Sequence, residues 1–336
     1  MVQNIPSGEE VVPNGCNYKL NFAHVSFEAS RKPMKSRKYF VYDVFTDTAL
    51  SGNPLGVVVD CEGLDAAAMQ RIAREFNLSE SVFLLPPDNP RHRARIRIFT
   101  PDYEMPFAGH PTVGSAIALA EQAGDDGTAG MFVLEENVGP VRCAVSKGRG
   151  ATFAEFDLPK LPEQLSLSAD SAALGAALGL PAHEIGFENH RPSLWSAGVP
   201  YVTVPVASLD AAARVRFDNT AWMELAPSKG EGIVASAYVY CRDTVHHDSA
   251  FHARMFVPGN PSYEDPATGS AAAAFSGVIL HFDSQVDGSG RYWIEQGIEM
   301  GRPSSIRLEI DVEAGRMQRA RIGGHAVKVA EGVLYA

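Results

Sequence analysis

Residues 264–274 read EDPATGSAAAA, and residues 109–119 have already read GHPTVGSAIAL. Setting the Gly-Ser-Ala triplets against each other aligns His110-Pro111-Thr112-Val113-Gly114-Ser115-Ala116 with Asp265-Pro266-Ala267-Thr268-Gly269-Ser270-Ala271, 155 residues further on. Upstream, Phe99-Thr100-Pro101 answers Phe256-Val257-Pro258, with two residues fewer before the second motif than before the first. In a chain of 336 residues an offset near half the length predicts a duplicated domain.

The flanking patterns give each copy the same contents. Residues 39–45, YFVYDVF, are aromatic and β-branched and predict a strand. Ser51-Gly52-Asn53-Pro54 predicts a turn, and Val57-Val58-Val59 a second strand. Asp65 is placed to cap a helix whose apolar positions Met69, Ile72, Ala73 and Phe76 recur at helical spacing, with Asn77 at its end. Val82–Leu85 and the alternating Ala94–Phe99 predict further strands. A helix follows, with Pro111 at its first position and Gly124 as its cap. Its body, Ser115 to Ala120, is apolar on nearly every side and so belongs in a core. The second copy predicts an equally apolar helix from Pro266 to about His281. Strands are expected at Tyr201–Val206, Ile233–Cys241 and Ile306–Ile310, with two short ones at Ala326–Val329 and Val333–Tyr335. The class is α+β.

Bulk properties exclude several roles. A net charge of −11 argues against a surface for nucleic acid or an anionic membrane, which would need a basic face. The cysteines, Cys16, Cys61, Cys143 and Cys241, have neither metal-ligand spacing nor a disulfide framework, which fits reduced thiols in a cytoplasmic protein. No membrane span or secretory signal is expected. His246, His247 and His252 lie close in sequence, on a turn leading into a strand, which is poor ground for a metal site.

Two buried helices related by duplication would aim their unsatisfied N–H groups and positive dipole ends into one cleft, a setting suited to a carboxylate. His110 and Asp265 would flank that cleft as a titratable pair. The plainer readings are that Asp265 caps a helix, that His110 is structural, that Ser115 and Ser270 are small packing residues, and that Glu80 is a solvated surface carboxylate.

With NLSE (77–80), GHPT (109–112) and EDPATGS (264–270) together, the sequence resembles the PhzF-like proteins of phenazine biosynthesis, within the diaminopimelate-epimerase-like fold. The likeness runs from about Tyr39 to the C-terminus. It implies two pseudo-symmetric lobes, each a curved barrel-like sheet around a central helix, with the site between them. The domains expected are a lobe over 38–158, completed by a strand at about 322–336, a second lobe over 159–321, and an extension over 1–37 of unassigned role. The resemblance further implies a homodimer and an isomerase like trans-2,3-dihydro-3-hydroxyanthranilate isomerase, which moves a proton on a small carboxylate-bearing substrate without metal or organic cofactor. It places the proton-shuttling glutamate at Glu80 and further catalytic residues at His110 and Asp265. Ser79, Gly109, Gly269 and Ser270 would bind substrate. Relatives of the same fold that use two cysteines as bases would carry them near Gly114 and Pro266, where this chain has none. An amino-acid epimerase or racemase, and a small-molecule binding protein without turnover, are the alternatives.

Overall fold

The computed structural model describes residues 35–123, 130–147, 150–229 and 233–336. Cys16, most of the N-terminal extension and the expected cap Gly124 lie outside them. The first half runs β1 (Ser36–Val44), β2 (Asn53–Val58), α1 (Ala66–Phe76), β3 (Glu80–Leu85), β4 (Ala94–Phe99), β5 (Glu104–Met105), α2 (Gly109–Gln122), β6 (Gly130–Glu136), β7 (Gly139–Ser146) and β8 (Thr152–Asp157). The second runs β9 (Glu163–Leu165), α3 (Ser171–Ala177), β10 (Ser193–Ser196), β11 (Pro200–Pro205), α4 (Leu209–Arg214), α5 (Asn219–Leu225), β12 (Ser228–Lys229), β13 (Ile233–Val234), β14 (Ser236–Cys241), β15 (Phe251–Val257), β16 (Tyr263–Asp265), α6 (Gly269–Phe282), β17 (Gly288–Gln296), β18 (Ser304–Glu313) and β19 (Arg316–Tyr335).

Pairing closes the first lobe. β1 joins β2, β2 joins β3, β3 joins β4, β4 joins β6, and β6–β7–β8 lead to β19, which returns to β1. The second lobe is a curved sheet in the order β9-β10-β11-β14-β15-β17-β18-β19. The duplication is visible in the pairing itself. β2–β3 and β11–β14 are parallel, as are β4–β6 and β15–β17, while β4–β5 and β15–β16 are matching hairpins. The two short C-terminal strands expected from sequence are instead parts of one 20-residue strand, β19, which pairs with β18, then β8, then β1. A strand that long threads both sheets and ties the lobes together.

Each sheet wraps one apolar helix. In α2 every residue from Gly109 to Ala118 is buried, and in α6 Ala271 to Ile279 are buried without a break. A helix apolar all round has no solvated face to offer, so the sheet must close about it. α1 behaves as its pattern requires: Asp65 accepts from the Ala68 N–H, Met69, Ile72 and Ala73 are buried, and Asn77 ends it in the left-handed conformation.

The repeat is real, but its register differs from the one the Gly-Ser-Ala triplets suggest. α2 and α6 both span 14 residues and start at Gly109 and Gly269, 160 residues apart. Met105 pairs with Ile98 as Asp265 pairs with Met255, which sets Met105 opposite Asp265 in the repeat. The true echo is Tyr103-Glu104-Met105-Pro106-Phe107-Ala108-Gly109 against Tyr263-Glu264-Asp265-Pro266-Ala267-Thr268-Gly269. His110 therefore corresponds to Ser270, and Asp265 to Met105. Pro111 and Pro266 are not first helical positions: Pro111 is the third residue of α2, and Pro266 precedes α6. A missing N–H is tolerated at both places, because neither N–H would have an acceptor within the helix.

Candidate active site

The two helices meet at their first residues. A Cβ on Gly109 would stand 2.8 Å from the Gly269 Cα, and one on Gly269 would stand 3.0 Å from the Gly109 Cα. Only glycine at both positions allows this approach. Ala108 and Thr268 occupy the cap positions, and neither gives a side-chain cap. The first N–H groups of both helices therefore lack acceptors from their own helix or cap.

Around this meeting point stand residues from several elements. Glu80 opens β3, three residues after the left-handed Asn77. It is not the solvated carboxylate of the plainer reading: its side chain keeps 16% exposure, and Oε2 is buried. His110, in the first turn of α2, puts Nε2 3.3 Å from Glu80 Oε2. Neither atom has a hydrogen-bond partner. Two buried polar atoms that close, and both unsatisfied, are costly in a finished core and mark a place for a third group.

Burial sets their charge states. It pushes His110 down to about 3, so the imidazole is neutral. Burial, and after it the Asp265 carboxylate, pushes Glu80 well above the usual carboxylate range. Glu80 thus holds its proton close to neutral pH, where it can both give one up and take one back.

Asp265, at the end of β16, does not cap α6. Asn53 Nδ2 donates to its Oδ1 at 2.9 Å and to the Ala267 carbonyl at 2.9 Å, and the Thr268 hydroxyl donates to its Oδ2. Gln296 Nε2 donates to the Asp265 carbonyl oxygen at 2.7 Å. Burial raises the Asp265 pKa, and the Thr268, Asn53 and Ser79 side chains hold it back. This carboxylate is fixed by its partners, whereas Glu80 is not. Asn53 and Pro54 were expected in a turn; they open β2 instead, and that is what carries Asn53 to Asp265, 212 residues away.

The structure thus brings together all seven expected site residues: Ser79, Glu80, Gly109, His110, Asp265, Gly269 and Ser270. It adds Asn53, Thr268 and Gln296, and three tyrosines that sequence reasoning missed. Tyr103 and Tyr263, equivalent in the repeat, are largely exposed, and partial burial and then the Glu80 charge oppose ionisation of both phenols. Tyr201 is buried, with its hydroxyl 2.6 Å from Ser270 Oγ. The only signal for the exposed pair was Tyr-Glu-x-Pro-x-x-Gly, which the correct register exposes.

Gly114 faces away from the site: a Cβ there would meet Leu55 and Val44 in the first core. The described cysteines, Cys61, Cys143 and Cys241, are buried and unpaired, and none of them is among the residues gathered at the helix junction. His252 is engaged too. Its two ring nitrogens lie 2.9 Å from Glu295 and 2.9 Å from Glu299, and among the described residues no group of three or more His, Cys, Asp or Glu side chains could hold a metal ion.

Residues 42–332 match the family model described as phenazine biosynthesis-like protein. The chain belongs to this phenazine biosynthesis-like family. It is 72% identical to an uncharacterized isomerase of Mesorhizobium japonicum, over 90% of this chain and 100% of that protein. It is 35% identical to the trans-2,3-dihydro-3-hydroxyanthranilate isomerase of Pseudomonas aeruginosa, over 89% of this chain and 99% of that one. The crystal structure of a phenazine biosynthesis protein of the PhzF family from Bacillus anthracis superposes with a TM-score of 0.81 at 28% identity, over 90% of this chain and 100% of that chain. The chain is an isomerase of the phenazine biosynthesis-like family, and its fold is the two-lobed α+β fold of these proteins. No helix among the described residues is long and apolar enough to cross a membrane.

Proposed function

We propose that this isomerase moves a proton on a small cyclic substrate bearing a carboxylate, with Glu80 as the single proton carrier; the Pseudomonas aeruginosa relative is named as an isomerase of such a compound, trans-2,3-dihydro-3-hydroxyanthranilate. The observation that carries this reading is the Glu80–His110 pair: 3.3 Å apart, buried, mutually unbonded and next to two touching helix starts. The uncapped N–H groups of α2 and α6 would hold the substrate carboxylate. Glu80 would take a proton from one ring carbon and return it to another, in a space dry enough to keep it from exchanging away. Neutral His110 would accept a hydrogen bond from the substrate's amino or hydroxyl group, or donate one to it, according to tautomer. Asp265, held by Asn53 and Thr268, would fix that same polar group from the other lobe.

An epimerase with two opposed bases fits less well. Its second base would be His110 or Asp265; His110 stands beside Glu80 at 3.3 Å and not opposite it, and the two oxygens of Asp265 already accept from Asn53 and Thr268. The test is turnover of trans-2,3-dihydro-3-hydroxyanthranilate, and of hits from a thermal-shift screen of cyclic and amino carboxylates, each followed by NMR in deuterated water. Glu80→Gln should lower turnover by roughly two to four orders of magnitude, the ordinary worth of a general acid/base. Near-wild-type turnover would remove Glu80 from the mechanism. Deuterium entering the α-carbon of an amino acid, with no double-bond shift, would favour the epimerase.

A further inference from the structure

In the first lobe, Leu55 of β2 lies opposite Glu80 of β3; in the second, Tyr201 of β11 lies opposite Ser236 of β14. The repeat thus puts a tyrosine where the first lobe has a leucine, and that tyrosine is buried with its hydroxyl 2.6 Å from Ser270 Oγ. A phenylalanine would fill the same space but make no such contact. Burial first, then the charges of Asp265 and Glu80, oppose loss of the phenol's proton. Either hydroxyl can donate in this contact; with Tyr201 as the donor, Ser270 Oγ accepts. Ser270's own proton is then directed away from Tyr201. Ser270 lies in the first turn of α6, where the backbone N–H groups also want acceptors, and it occupies the place that His110 takes in α2.

We propose that Tyr201 is a positioning residue that holds Ser270 as a hydrogen-bond donor to the substrate's carboxylate, so that the second lobe recognises the anionic group while the first handles the proton. This deepens the function proposed above and rests on it.

Tyr201→Phe keeps the ring and removes only the hydroxyl. Anthranilate and its neutral amide, anthranilamide, serve as ligands in isothermal titration calorimetry, and trans-2,3-dihydro-3-hydroxyanthranilate as the substrate. The wild-type protein should prefer anthranilate, and Tyr201→Phe should shrink that preference about tenfold, the scale of one hydrogen bond to a charged group. Ser270→Ala should do the same, and the double variant no more than either alone, because the two hydroxyls act as one unit. In turnover, Tyr201→Phe should raise KM and leave kcat within a factor of about three, a split that a general loss of packing would not give. An unchanged preference in Tyr201→Phe, or additive losses in the double variant, would overturn the inference. A wild-type protein indifferent to the carboxylate, or a Glu80→Gln protein that turns over normally, would instead overturn the reading of the site on which it stands.

Discussion

The two lobes share a frame and differ in its chemistry. Both place a hairpin with a bidentate Arg–Glu pair before the buried helix: Arg97 with Glu104 at 2.5–2.7 Å, and Arg254 with Glu264 at 2.8 Å. Both follow with Pro-x-x-Gly and a helix that starts against its twin. At the positions proposed to carry the chemistry they part. The first lobe carries Glu80, His110 and Glu136 where the second carries Ser236, Ser270 and Gln296, and the second carries Asp265 where the first has Met105. Duplication built a symmetric cradle of helix starts. Sequence divergence then placed the unanchored, proton-holding carboxyl on one side and hydroxyls, an amide and a fixed carboxylate on the other. A shuttle with one base needs that asymmetry; two equal bases would suit removal of a proton on one face and delivery on the other.

The sharpest way to break the comparison is to exchange the chemistry between lobes. Glu80→Ser combined with Ser236→Glu moves the carboxyl to the equivalent strand start, where the neighbouring helix offers Ser270 in place of His110. Turnover should stay at least about 100-fold below wild type, the lower range of general acid/base catalysis; recovery to within tenfold would mean the lobes are interchangeable.

A second attempt targets what they share. Gly109→Ala drives a Cβ into the Gly269 backbone, where neither side can yield. It should lower stability by about 1–3 kcal/mol, in the range of overpacked cores, and shift the urea midpoint accordingly.

The charge states give a third test. Folding raises the Glu80 pKa, so the native state holds this proton more firmly than the unfolded chain. That contribution is fully present below the ordinary value of 4.5 and is lost as pH rises through the raised one. Glu80→Gln removes the loss, so the variant should be the more stable protein at pH 9 and its advantage should shrink toward pH 5. His110 has the opposite sign. Its folded value falls to about 3, so its contribution is present above the ordinary 6.5 and is lost as pH drops toward 3; His110→Gln should soften the acid limb of the stability profile. Thermal melts across pH 3–9 check both slopes.

The smallest effect sharpens the likeness. Glu136 accepts from the Thr112 hydroxyl at 2.8 Å, and burial raises it to about 8, so near neutrality it is a protonated acid in the place where Gln296 is an amide. Glu136→Gln makes the lobes match there. Stability at pH 7 should move by less than about 1 kcal/mol, the worth of a typical hydrogen bond, as urea melts would show.

Much of this was legible in the chain. The apolar bodies of α2 and α6 announced buried helices, and the spacing of Met69, Ile72 and Ala73 announced α1. The repeat was legible but misread by five residues, because the Gly-Ser-Ala identity is stronger to the eye than Tyr-Glu-x-Pro-x-x-Gly. Small residues recur along any tightly packed helix, so a triplet of them fixes a helix face and not its start. The register is set by the matching hairpins, which pair Met105 with Ile98 and Asp265 with Met255, and by the contact between Gly109 and Gly269. Burial of Glu80 and the grip of Asn53 on Asp265 could not be read from local pattern, since both depend on strands from distant segments closing over the helix starts. The single strand β19 was hidden for a related reason. Gly323, Gly324 and Gly332 break its apolar alternation, yet the first two sit where Phe153 and Phe45 leave no room for a side chain.

The claim that one lobe alone carries the proton is tested most directly by comparing two variants under identical conditions, Glu80→Gln and Ser236→Ala, in single-turnover isomerisation of trans-2,3-dihydro-3-hydroxyanthranilate. The account predicts a loss of about 100-fold or more for Glu80→Gln, in keeping with general acid/base catalysis, and less than tenfold for Ser236→Ala. Equal losses from the two variants, or a larger one from Ser236→Ala, would contradict it.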